Sequence, residues 1–400
     1  MKTEYKKTKL GLIPEDWEVA KLGDVAKVKT GNRDTKDKVE NGQYPFFVRS
    51  DNVERINEYS YDGEAILTSG DGVGVGKNYH YINGRFNYHQ RVYNIHEFRD
   101  NVVGKYLYYY FSKAFLKRVF RLSAKNSVDS VRLEMIVDML IPLPPLPEQA
   151  RIADCLSQWD RGIALLERLI AQKEEQKKGL MQQLLTGRQR LPGFAGEWER
   201  VKYGKAFDFL STASFSRAKL FEGNDIQCLH YGDIHTKFHN YIDFEEFSIH
   251  GCTAEEGAKY SLLKNGDLIM ADASEDLAGV GKSIEVKGLE GKAISGLHTI
   301  LMRSKSNLFA DGFKAYIHEI PTVRKSLQRI ATGAKVYGVA KKNLKNISIP
   351  LPPLPEQKAI AQLLNTADRE LSLLRAKLGQ YRLQKRGIMQ QLLTGRKRLV

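Results

Sequence analysis

Nine residues, Ile-Pro-Leu-Pro-Pro-Leu-Pro-Glu-Gln, stand at 141–149 and again without change at 349–357. Eight more, Met-Gln-Gln-Leu-Leu-Thr-Gly-Arg, stand at 181–188 and at 389–396, at the same offset of 208. Two identical blocks at one offset mean that everything between them is duplicated. Whatever the chain folds into is therefore built on an internal repeat.

Between the blocks, the pattern predicts a helix of about 40 residues, from Pro147 in the first turn to Gly187 at the C-terminal end. Alternating steps of four and three give the seam Ile152, Leu156, Trp159, Ile163, Leu166, Ile170, Lys173, Lys177, Leu180 and Leu184. The second copy carries Ile360, Leu364, Ala367, Leu371, Leu374, Leu378, Tyr381, Lys385, Ile388 and Leu392 in the same register. At ~1.5 Å per residue each helix is roughly 60 Å long, typical of a spacer or coiled coil. The simplest partner for each is the other. The expected interface is Ile152, Leu156, Trp159, Ile163, Leu166 and Ile170 against Ile360, Leu364, Leu371, Leu374 and Leu378.

Ahead of each helix lies an aromatic-rich segment punctuated by glycine, giving the order domain (1–140), helix (141–190), domain (191–348), helix (349–400). The two domains resemble each other weakly. Trp17, Lys21 and Gly23 match Trp198, Lys202 and Gly204; Asp51 matches Asp233; Gly74 to Lys77 matches Gly279 to Lys282; and His89 matches His298. The expectation is an α+β chain in which two diverged α/β domains are separated by two heptad helices. An antiparallel coiled coil would then relate the halves by a pseudo-twofold axis and bring the chain ends together, as in a cyclic repeat.

Charge narrows the partner. Lys+Arg 62 against Asp+Glu 47 leaves +15, which suits a polyanion such as nucleic acid. Ten of these cations fall near the helix ends, at Lys173, Lys177, Lys178, Arg188, Arg190, Lys385, Arg386, Arg396, Lys397 and Arg398, where acidic partner subunits or flanking DNA would meet them. Cys155, Cys228 and Cys252 form no CxxC pair, so neither a disulfide framework nor a zinc site is expected. With no long apolar run and no signal-like start, the expectation is a cytoplasmic protein away from membranes.

Catalytic motifs are wanting. The run from Asp276 to Ser283 would be a P-loop only if Asp276 were glycine, and a carboxylate would sit where a phosphate belongs. His230, His235 and His239 have the spacing of a strand and turn, not of ligands on a helix. No methyl-donor or dinucleotide fingerprint is present, so the chain is expected to be no enzyme and to hold no cofactor or metal itself.

What the domains do carry is Arg, Asn, Gln, Ser and Thr, which read base edges, with Lys to hold phosphates. In the first domain the candidates are Lys29, Thr30, Asn32, Arg33, Arg49, Ser50, Asn52, Lys77, His89, Gln90, Arg91, Lys125, Asn126 and Ser127. In the second they are Ser211, Thr212, Ser214, Ser216, Arg217, Lys219, Tyr231, Asp233, His235, Lys237, Lys282, His298, Thr332, Lys335 and Tyr337.

The twin proline-rich and Met-Gln-Gln-Leu-Leu-Thr-Gly-Arg blocks, the duplicated heptads and the two diverged domains resemble the specificity subunit of type I restriction-modification systems. The resemblance implies two target-recognition domains, each reading half of a bipartite double-stranded DNA site, with the helices fixing the gap. It also implies two methyltransferase subunits that use S-adenosylmethionine to methylate adenine N6, and two motor-nuclease subunits that use ATP and Mg. A methylation-only system would need the same chain. A reading from another class, a coiled-coil adaptor that binds protein and not DNA, predicts an affinity for DNA that does not respond to salt, whereas several phosphate contacts make log affinity fall with log salt.

Overall fold

The computed structural model describes residues 4–122, 130–223 and 225–399. The chain divides into two compact units, Met1–Glu167 with Ala376–Val400, and Arg168–Arg375. The division falls inside each long helix instead of at its start. The reason is packing: each helix end is buried in the core of the unit it belongs to.

In the first unit a six-stranded sheet runs in the order Lys27–Thr30, Val92–His96, Tyr61–Ser69, Tyr79–Tyr88, Tyr44–Phe47, Val53–Ile56. Neighbours are antiparallel apart from Tyr44–Phe47 beside Tyr79–Tyr88. The alternation of Tyr61–Ser69 is clean. Ile66 faces the core under the helix Gly104–Leu122, while Ala65 and Leu67 face Phe47, Phe86 and Tyr88 on the other side. Gly104–Leu122 buries Tyr106, Leu107, Tyr110, Phe111, Phe115 and Val119, a stripe at helical spacing. Into this same core pack Ile152 and Leu156 from the first long helix and Leu392 and Leu393 from the end of the second.

The second unit repeats the plan with different parts. Its five-stranded sheet runs Phe207–Leu210, Thr299–Ser304, Leu268–Ala271, Ser283–Lys287, Tyr241–Asp243. Leu268, Met270, Ile300 and Met302 pack with Tyr316, Val323 and Leu327, and with Leu184, Ile360 and Leu364 of the long helices. Ile269, Ala271, Ile284, Val286 and Leu301 fill the opposite face. A turn Lys314–Glu319 and the helix Pro321–Ile330 replace the single helix of the first unit. The sheets of both units are mainly antiparallel, where α/β domains were expected.

The long helices span Leu146–Leu184 and Leu354–Leu392. Every seam residue expected from the heptads is buried or half-buried. Within the first unit Asp160 pairs with Lys385 and Glu167 with Arg382, while Trp159 and Tyr381 meet edge to face at 5.6 Å. Within the second, Lys173 pairs with Glu370 and Lys177 with Asp368. In each unit, ascending one helix means descending the other. Each helix ends on a glycine with φ +68°, Gly187 and Gly395, a left-handed cap that suits a residue without Cβ.

The duplicated Glu-Gln pair makes the joints. Glu148, 2% exposed, accepts from Trp17 Nε1 at 3.0 Å and from Arg398 Nε at 2.7 Å, and Arg398 also holds Asp16. Glu356, 1% exposed, accepts from Trp198 Nε1 at 3.1 Å and from Arg190 Nε at 2.6 Å. Gln149 receives Val103 N–H and donates to the carbonyls of Asn101 and Pro144; Gln357 receives Ala310 N–H and donates to those of Leu308 and Pro352. Replacing Gln357 by Ala strands three backbone groups, one buried and two partly buried, and is expected to lower the unfolding free energy by about 1–3 kcal/mol, read as a shift in urea midpoint.

Candidate nucleic-acid interface

In each unit most of the candidate residues gather on loops at one end of the sheet, and backbone hydrogen bonds tie these loops together. In the first unit the loop after Lys27–Thr30 is held through Gln90 N–H to Arg33 O at 2.8 Å. Gly70 N–H donates to Arg91 O and Val131 N–H to Gly70 O, each at 2.7 Å, which joins three further segments. Arg49 reaches Asp71 at 3.0 Å, with Arg91 3.8 Å from the same carboxylate. Lys29, Thr30, Asn32, Arg49, Asn52, Lys77, Gln90 and Arg91 are exposed on or beside this rim, with Ser50 half-buried. Lys125, Asn126 and Ser127 lie outside the described residues.

The second unit gathers equivalent segments. Ala213 N–H donates to Ser295 O at 2.7 Å, Tyr231 N–H to Leu297 O at 3.3 Å, Asp272 N–H to His298 O at 3.0 Å and Val339 N–H to Asp272 O at 2.8 Å. The short strand Ala273–Ser274 pairs with Tyr337–Gly338. Tyr231 packs edge-on against both His235 and His298. His298 adopts φ +54°, rare for a residue with a side chain, and lies exposed with Nδ1 3.2 Å from Asp272 Oδ1. Ser211, Ser214, Ser216, Lys219, Thr332 and Lys335 are exposed, while Thr212 and Tyr337 are half-buried.

Several expected contact residues are committed to the fold. His89 is only 2% exposed, and its Nδ1 accepts from Arg91 N–H at 2.9 Å; desolvation holds its pKa below the usual histidine value, so it supports the rim from beneath. Asp233 is fully buried, clamped by Arg217 at 2.8 Å and Lys237 at 2.9 Å, and it closes a capping box with His230. Arg33 is tied to Glu58. The matched lysines differ. Lys77 is exposed, whereas Lys282 is half-buried, donates to His235 O at 3.1 Å, and has its pKa lowered by burial. The segment that looked like a near P-loop turns on Asp276, whose Oδ1 receives Gly279 N–H at 2.6 Å, so the aspartate itself fills the place of a phosphate.

Some of the helix-end cations are also spent inside their units. Lys173, Lys177, Arg190, Lys385 and Arg398 all sit in ion pairs with carboxylates of the same unit.

Residues 14–175 and 197–380 match the sequence profile of the type I restriction modification DNA specificity domain. The chain belongs to the family of type I restriction-modification specificity subunits, DNA-recognition subunits without catalysis of their own. It is 27% identical over 420 residues to the type I restriction enzyme MjaVIII specificity subunit of Methanocaldococcus jannaschii, covering 97% of this chain and 94% of that one. It is 31% identical over 172 residues to the EcoDI specificity subunit of Escherichia coli, covering 43% of this chain and 35% of that one. Among solved structures, the fold matches the type I S subunit from M. genitalium with TM-score 0.63 at 15% identity, over 98% of this chain and 99% of that one. Among the described residues no helix is long and apolar enough to cross a membrane.

The contrast between the two matched lysines is directly measurable. Lys77→Ala is expected to weaken DNA binding by the methyltransferase complex on any sequence and to reduce the slope of log affinity against log salt by about 1. Lys282→Ala is expected to leave that slope unchanged and to lower thermal stability instead.

Proposed function

We propose that each unit reads one half of an asymmetric, bipartite double-stranded DNA site with its loop rim, and that the paired helices set the gap between the halves. The observation that carries this reading is the pair of rims: built from corresponding segments, placed at the same end of each sheet, yet lined by different side chains. Different linings on a duplicated scaffold suit different half-sites. The antiparallel order of ion pairs within each unit supports coiled-coil pairing of the two helices in that unit, and the pseudo-twofold relation between the halves is proposed from the sequence repeat. Half-sites ~10 bp apart lie ~34 Å apart along the duplex, a span that rigid helices can hold and a flexible linker cannot.

On this reading two methyltransferase subunits, carrying S-adenosylmethionine, dock around the helices and methylate adenine N6 at the recognised site. Two motor-nuclease subunits join them to translocate and cut unmodified DNA with ATP and Mg. The chain supplies sequence recognition and works in the cytoplasm beside its DNA.

Coexpression with the cognate methyltransferase, followed by genome-wide mapping of methyladenine, is expected to return one bipartite motif with a single gap. Exchange of residues 14–140 for another recognition domain is expected to change one half-site only. A change in both halves, or no bipartite motif at all, contradicts the proposal.

A further inference from the structure

One feature of the heptad seam departs from an apolar interface in the same way in both units. Lys385 on the second long helix pairs with Asp160 on the first, and Asp160 Oδ2 receives Tyr109 O–H from the globular part at 2.7 Å. In the other unit Lys177 on the first helix pairs with Asp368 on the second, and Asp368 Oδ2 receives Tyr316 O–H at 2.7 Å. The lysines and the aspartates are related by the repeat offset of 208. Each ammonium also lies over its tyrosine ring, at 5.5 Å for Lys385 over Tyr109 and 6.0 Å for Lys177 over Tyr316. A small polar side chain one helical turn before each aspartate completes the set, Ser157 at 3.3 Å from Tyr109 and Asn365 at 2.8 Å from Tyr316.

Three chain segments thus meet at one charge pair: both long helices and the recognition domain. The pair of the second unit is poorly hydrated, with side-chain exposures of 11% for Lys177 and 13% for Asp368, whereas in the first unit Lys385 is 20% and Asp160 44% exposed. Replacing such a pair by apolar residues of similar size is often neutral or stabilising, so its contribution to stability alone is weak. Its attested physical use is to fix register, because a polar residue at a seam position penalises every alignment that leaves it unpaired. Sliding one helix by a heptad moves the lysine about 10 Å, so that the place of Asp368 opposite Lys177 is taken by Ala361 or Arg375, and that of Asp160 opposite Lys385 by Ala153 or Glu167; three of these four alignments leave the ammonium without a carboxylate. The tyrosine extends that constraint to the domain, since its hydroxyl is satisfied only when the domain is seated at the same level.

We propose that Tyr109–Asp160–Lys385 and Tyr316–Asp368–Lys177 are positioning residues that lock each recognition domain to one register of the helix pair and so restrict the DNA gap to one length. This rests on the bipartite reading above. Gap length would then be set by these two networks as well as by helix length, with no contact between them and DNA.

The test uses the full chain in complex with its methyltransferase. A triple variant, Tyr109→Phe with Asp160→Leu and Lys385→Met, is compared with the parent on duplexes carrying both half-sites at the native gap and at gaps shorter or longer by one or two base pairs. The preference for the native gap is expected to fall by about tenfold or more, equivalent to about 1.4 kcal/mol. The thermal midpoint and the half-site preferences should not fall. Lys385→Arg, which keeps the charge, should retain the parent's preference for gap length. An unchanged preference in the triple variant, or an equal loss of rate on every gap, overturns the proposal. If the parent itself recognises no bipartite site, the reading beneath the proposal fails, an outcome identified before any variant is made.

Discussion

A carboxylate buried in the first turn of each long helix holds the scaffold together. Glu148 and Glu356 each lie close to the positive end of a helix, where a negative charge is favoured, and each is closed off by an indole N–H and a guanidinium. In the first unit the tryptophan comes from the start of the domain, the glutamate from the first helix, and the arginine from beyond the end of the second. In the second unit the corresponding arginine, Arg190, comes from beyond the end of the first helix. One buried charge therefore fixes three separate chain segments, and removing any member leaves the others uncompensated in a poorly hydrated place. The neighbouring glutamines do the same for backbone groups of the adjoining loops.

This arrangement separates two tasks. The joints and seam, whose helix residues correspond at a constant offset, are buried or half-buried, so changes there carry a cost. The rims are exposed loops cross-linked by backbone hydrogen bonds, which hold their shape whichever side chains they carry. His89 illustrates the division, since it works beneath the rim while Gln90 and Arg91 beside it stay in solvent.

The long helices and their seam were legible in the sequence because heptad spacing and terminal glycines are local signals. The polar loops of each domain could be picked out for a similar reason, as residues clustered around glycine turns. What stayed hidden depends on long-range pairing. Nothing local marks Glu148 as the partner of Arg398, or Tyr109 and Tyr316 as counterparts, because the domain insertions put them off the repeat offset. The same holds for Asp233, read as a surface side chain until Arg217 and Lys237 are seen around it. Antiparallel sheet order was likewise invisible, since short apolar strands look the same in either direction.

The division of the chain bears on how it is made. Arg168–Arg375 is one continuous stretch, whereas the other unit needs residues from both ends of the chain. A growing polypeptide can complete the later unit while still attached to the ribosome. The earlier one stays open, with the core positions of Leu392 and Leu393 unfilled and Glu148 without Arg398, until residues 392–398 have emerged. Domain-wise folding from the N-terminus is the usual order during synthesis. Here the unit whose synthesis begins first can be completed only after the later unit has been made, and a chain cut before Leu392 lacks that seal.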